Sequence, residues 1–125
     1  MKALLIDPTT QTITTIDIEK GIDAIYKAMD CDMFECPIEF ANGDTLYCDE
    51  EGKLTHSTKQ TGGFTYPDGW NDVVVGKALV IGTNPKTGES RDCKSKPEDI
   101  LVTEWGQIKW FSKDECERLL DRMGF

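Results

Sequence analysis

The chain has 125 residues, 30% of them charged, and its 23 Asp and Glu against 14 Lys and Arg give a net charge of −9. That length fits one domain able to bury a core of its own. No apolar run is long enough to span a membrane, and the composition excludes collagen-like, coiled-coil and low-complexity classes. Asp7 and Pro8 interrupt the first apolar run too early for a signal peptide, so the expectation is an acidic, cytoplasmic globular protein.

Residues 2–6 form a short apolar strand ended by the turn signal Asp7-Pro8. Residues 11–18 place Ile13, Ile16 and Ile18 among Thr and Asp, which predicts a second strand paired with the first. Ile22, Ile25, Tyr26 and Met29 then line one helical face, predicting a helix over 20–30 that buries all four against a sheet. Residues 32–40 alternate again, with Pro37 assigning that strand to an edge or a bulge. Asn42-Gly43 marks a hairpin turn, and 45–48 is the return strand.

Asp49 to Lys53 reads as a turn, and 53–72 as an irregular loop with a short strand near 62–66. The strongest apolar run follows, and 77–82 is expected to be a central buried strand. Ser95 and Glu98 around Pro97 predict a capped helix from 96 to about 102, although 100–105 also reads as a strand. Residues 107–111 read as a strand. The last helix, over 113–123, has Ser112 as N-cap and Glu115 as its partner, with Cys116, Leu119, Leu120 and Met123 on its apolar stripe. The sum is an α+β domain, a mainly antiparallel sheet flanked by two principal helices at about 20–30 and 113–123.

The negative charge is uneven. Residues 1–60 carry twelve acids and five bases, a balance of −7, while 61–125 carry eleven and nine, a balance of −2. No clustered cations suit duplex nucleic acid, whereas an acidic surface suits a basic partner. A local reversal at 86–96 gathers Lys86, Arg91, Lys94 and Lys96, an anion-binding candidate. Phe64, Tyr66, Trp70, Trp105 and Trp110 are each a candidate to stack a base or a core residue; Phe64, Tyr66 and Trp70 are taken as the stacking candidates, Tyr66 and Trp70 foremost because they sit in a Gly-rich loop.

Five cysteines without a C-x-x-C pair read as free thiols. No metal or cofactor is expected: D-C-D at 30–32 and D-E-E at 49–51 lack calcium-loop spacing, and G-T-N-P-K-T-G-E-S at 82–90 lacks the Gly-Lys-Ser/Thr of a phosphate loop. His56 is the single histidine and falls in a polar stretch with no nucleophile motif beside it.

K-A-L-L-I-D-P (2–8), D-A-I-Y-K-A-M-D-C (23–31), N-G-D-T-L-Y-C-D-E-E-G-K-L (42–54) and G-K-A-L-V-I-G-T (76–83) together carry a resemblance. The chain resembles a family of small proteins of bacteriophages, plasmids and other mobile elements that bears only a domain-of-unknown-function label. The resemblance covers about residues 1–105, leaving 106–125 as a strand and helix extension of the same domain. It supplies no catalytic residues and implies an accessory role directed at the host.

Charge and resemblance together lead us to expect a non-enzymatic binder or inhibitor of a host protein. One alternative is a small-molecule sponge for a nucleotide-like signal, using Phe64, Tyr66 and Trp70 with Lys86, Arg91, Lys94 and Lys96. Another is an enzyme centred on His56 or a cysteine. Neither membrane nor duplex nucleic acid is an expected partner, and self-association through the last helix stays open.

Overall fold

In the hairpin of β1 (Lys2–Asp7) and β2 (Thr12–Asp17), every residue is paired without a register break, from Lys2 opposite Asp17 to Asp7 opposite Thr12. The computed structural model describes residues 1–59, 61–67, 72–103 and 106–125, with backbone alone for 56–59. After α1 (Ile22–Met29) come β3 (Phe34–Glu39), β4 (Asp44–Asp49), α2 (Gly52–Lys59), β5 (Gly63–Thr65), β6 (Val74–Val75) and β7 (Ala78–Thr83). The remainder is β8 (Ser90–Arg91), α3 (Pro97–Leu101), β9 (Val102–Thr103), β10 (Gly106–Gln107), β11 (Lys109–Phe111) and α4 (Lys113–Met123).

The main sheet is antiparallel with strand order β2-β1-β7-β4-β3, and β8 continues the line of β1 along β7. β7 is central because Ala78 to Ile81 are apolar without a break, and all four are buried on both faces. Alternation along the strands divides the core in two. Leu4, Ile6, Leu46, Cys48, Ala78 and Val80 point to one face, where Phe64 of the second sheet (β11-β5-β6) and Ile100 of α3 meet them. Ala3, Leu79 and Ile81 point to the other, under Ile25 and Met29 of α1. α4 lies on the second sheet, burying Cys116 and Leu120 against Val73 and Val75. Each such aliphatic side chain contributes about 1.5–3 kcal/mol by leaving water.

The α+β architecture, the central strand at 77–82, the edge position of β3 and the Ser112/Glu115 capping box are as the sequence predicts. Pro37 falls in β3 where the register with β4 shifts between Glu35 and Ile38. The structure corrects four expectations. Residues 52–59 are helical rather than turn and loop. This helix has little apolar face, Leu54 being 70% exposed. It stands on local bonds and tertiary contact: Asp49 accepts the Glu51 N–H at 2.9 Å, Lys53 bridges to Asp72, and Gly52 lies tight against Val75.

Ile22, assigned to the buried stripe of α1, is 53% exposed at the first residue of the helix, where it borders an open groove. Met123 is likewise exposed beyond the docked part of the α4 stripe. The α3 cap is shifted by one residue: the Asp99 carboxylate accepts the Lys96 N–H at 2.8 Å, and Ser95 is engaged elsewhere.

Candidate functional site

The positions of Arg91 and Lys94 are set from Asp44. The turn Ala41-Asn42-Gly43 leads into β4 with Gly43 at φ +92°, a conformation that suits glycine. It leaves Asp44 1% exposed. A buried carboxylate requires donors, and Asp44 takes them from a segment distant in sequence. The Ser95 N–H and hydroxyl donate to it at 2.8 and 2.6 Å, and the Lys94 N–H at 3.1 Å. Asn42 donates at 3.0 Å to the Ser95 hydroxyl. The carboxylate is thus satisfied without a cation, and it fixes 94–95 against the end of the sheet.

Upstream the same segment is held by β8 pairing with Gly82 and Thr83 and by β1, since the Cys93 N–H donates to the Lys2 carbonyl and the Lys2 N–H to the Asp92 carboxylate. Arg91 and Lys94 come out beside Lys20, and these three cations surround one open surface pocket with Asp92. The Arg91 Nε is buried with no hydrogen-bond partner. Lys86 stands in the turn before β8 and Lys96 at the start of α3, both exposed and neither lining the pocket. Lys20 had no sequence signal, since it belongs to a different segment.

The aromatic candidates do not join this cluster. Phe64 is wholly buried and Tyr66 is 5% exposed, packed edge-on to Phe40. Neither offers a ring face to a ligand, so the stacking platform is not built from these two. Trp70, like Trp105, lies outside the described residues, as does the His56 side chain.

A second group of charges lies along the β3 edge of the sheet. Asp32, Glu35, Glu39, Glu50 and Glu51 are all exposed along edge strand β3 and the β4–α2 turn. The Glu50 N–H donates to the Met33 carbonyl, which ties the turn to the strand entry and places the 47%-exposed Met33 among these acids. The ion pairs among the described residues, Met1 ammonium with Asp17 and Lys53 with Asp72, involve none of the five.

Four of the five thiols are held in the protonated form. Burial raises the pKa of Cys48, Cys93 and Cys116, that of Cys116 to about 11. Cys36, exposed on β3, is also raised, first by partial burial and then by Glu39 and Glu35. A thiol protonated at neutral pH is a weak nucleophile. Among the described residues no three His, Cys, Asp or Glu side chains group as a metal site.

A family model described as a domain of unknown function (DUF3846) matches residues 1–102. The chain belongs to this family. The matched region spans β1 to the start of β9 and includes Asp44, Ser95, the basic pocket and the acidic edge. No curated protein and no solved structure matches the chain. Among the described residues, no helix is long and apolar enough to cross a membrane.

Proposed function

We propose that this DUF3846 member is a non-enzymatic binding protein of a phage or other mobile element that occupies a basic site on a host protein in the cytoplasm. The observation that carries this reading is the set of exposed carboxylates on edge strand β3 and the segments flanking it, Asp32, Glu35, Glu39, Glu50 and Glu51, with the exposed Met33 at the entry to that strand. Charge of one sign outside any ion pair among the described residues steers a complementary surface into encounter, and an exposed apolar residue beside it supplies an anchor that excludes water. The protonated thiols support a role without covalent chemistry.

The test compares affinity purifications from the host using the wild type and a variant with Glu35, Glu39, Glu50 and Glu51 all changed to Gln. A partner held by the wild type and lost by the variant is the expected result. Identical recovery with both would overturn the reading.

One observation favours a second reading, a small anionic ligand. Lys20, Arg91 and Lys94 converge on one pocket of an otherwise acidic molecule. Phosphate or a nucleotide would be held there by charge-assisted bonds rather than by stacking on Phe64 or Tyr66. Calorimetric titration with inorganic phosphate and a nucleotide panel, using wild type and Arg91→Ala, tests it. Heat that is absent in the wild type eliminates this reading.

A further inference from the structure

The two edges of the main sheet are built differently. β3 carries Pro37, an irregular register and the charges of Glu35 and Glu39, features that keep another strand from adding to an edge. β2, with sequence T-I-T-T-I-D, has no proline, no lysine and no register break. Its Thr and Ile residues favour strand pairing.

The hydrogen-bond phase shows which groups of β2 point away from β1, while α3 packs against the same strand. Ile18 donates its N–H to the Met1 carbonyl at 2.8 Å, so that pair is a bonded one. Bonded pairs alternate along an antiparallel ladder. Ile16 and Thr14 therefore bond to Ala3 and Leu5, while Ile13, Thr15 and Asp17 turn their N–H and C=O groups outward. No described hydrogen bond uses those outward groups.

Beside this edge runs a groove between α1 and the β1–β2 hairpin, with Leu5, Ile16, Ile18, Ala24 and Ala28 in its lining and the exposed Ile22 at its lip. Its charges balance. Lys20 and Lys27 offset Glu19 and Asp23, and Asp17 is held by the Met1 ammonium at 2.8 Å. On a chain of net charge −9, a patch with balanced charges does not repel its own copy.

We infer that β2 pairs with β2 of a second copy of this chain, joining the two main sheets into one through an antiparallel twofold contact centred on Thr15. The pairing is self-complementary, as a twofold interface requires. Thr15 meets Thr15 of the partner copy, and Ile13 meets Asp17. The axis stands perpendicular to the sheet, so both α1 helices lie on the same face, and the two grooves become one trough closed by the Ile22 side chains. The acidic strips on β3 are left at the far ends of the assembly, free for a partner. This inference stands independently of the function proposed above.

Light scattering and native mass spectrometry of the full chain at roughly 100 μM test the inference, together with amide hydrogen exchange. The expected mass is twice 14.0 kDa. The N–H groups of Ile13, Thr15 and Asp17 are expected to be protected and to lose protection on dilution. Thr15→Pro removes an outward N–H and no β1–β2 hydrogen bond, at an edge-strand position that tolerates proline, so a folded monomer is expected; Ile22→Glu should also weaken the dimer. A wild-type monomer at that concentration overturns the inference. So does a dimer in which these three amides exchange as fast as open loops, a result readable even if Thr15→Pro fails to fold.

Discussion

The Ser95 hydroxyl donates to the Asp44 carboxylate over 2.6 Å, joining residues 51 positions apart. This one contact converts the end of a hairpin into the anchor of the basic segment. Asp44→Ala would strand the buried N–H of Ser95 and free the Lys94 segment. Its cost is expected to be about 2–4 kcal/mol, mostly from unpartnered buried donors. Urea unfolding measures it, and Ser95→Ala should be the milder change because the two backbone donors keep their acceptor.

The second sheet depends on a close strand approach at Gly62. A Cβ there would run into the Phe111 and Pro8 carbonyls, both backbone atoms that side-chain motion cannot clear. Gly62→Ala is expected to destabilise by about 1–3 kcal/mol. Gly88→Ala has open space but a φ of +75°, so its smaller loss comes from backbone strain alone. Thermal melts of the two variants separate these causes.

Cys36 is the one exposed thiol of the five; Cys31, Cys48, Cys93 and Cys116 are buried. A thiol reagent should label one cysteine in the native protein and five after unfolding. Labelling at neutral pH should be slow and rise with pH past the ordinary thiol value of 9.0, because partial burial, then Glu39 and Glu35, keep the group protonated. Glu39→Gln should speed it.

The α4 cap gives a pH signature. Ser112 and Glu115 exchange bonds of 3.2 Å, and these hold the Glu115 carboxyl below its ordinary 4.5. A lowered carboxyl pKa stabilises the folded state fully above the unfolded value, and that contribution disappears as pH falls through the folded value. Denaturation midpoints should therefore drop below about pH 4.5 in the wild type, and less steeply in Glu115→Gln. Ser112→Ala should cost about 1 kcal/mol at neutral pH.

Strong local patterns were legible in the sequence. The run from Ala78 to Thr83, the capping box of α4 and the Asn42-Gly43 turn act through neighbouring residues, and each element sits where its pattern placed it. Elements held by distant contacts were not legible. α2 has no apolar stripe and depends on Asp72, Val75 and the Asp49 cap. Ser95 has the composition of a helix cap, yet Asp44 competes for it successfully because a buried carboxylate gains more from the bond than an exposed helix end. Two of the three cations of the candidate anion cluster, Arg91 and Lys94, were visible as a local charge run, while Lys20 reaches the pocket only through the fold. Phe64 and Tyr66 were misleading for a related reason: glycine neighbours suggested a loop, but Gly62 and Gly63 serve close strand packing that buries both rings.

The most direct test of the proposed function is the salt dependence of partner affinity. The protein captured by the wild type would be purified, and its Kd measured at roughly 50 and 500 mM salt against wild type and the fourfold Glu→Gln variant. Binding through the acidic edge predicts that wild-type affinity falls steeply with salt and that the variant is weak at both concentrations. Affinity that ignores salt and is equal in the variant would contradict it.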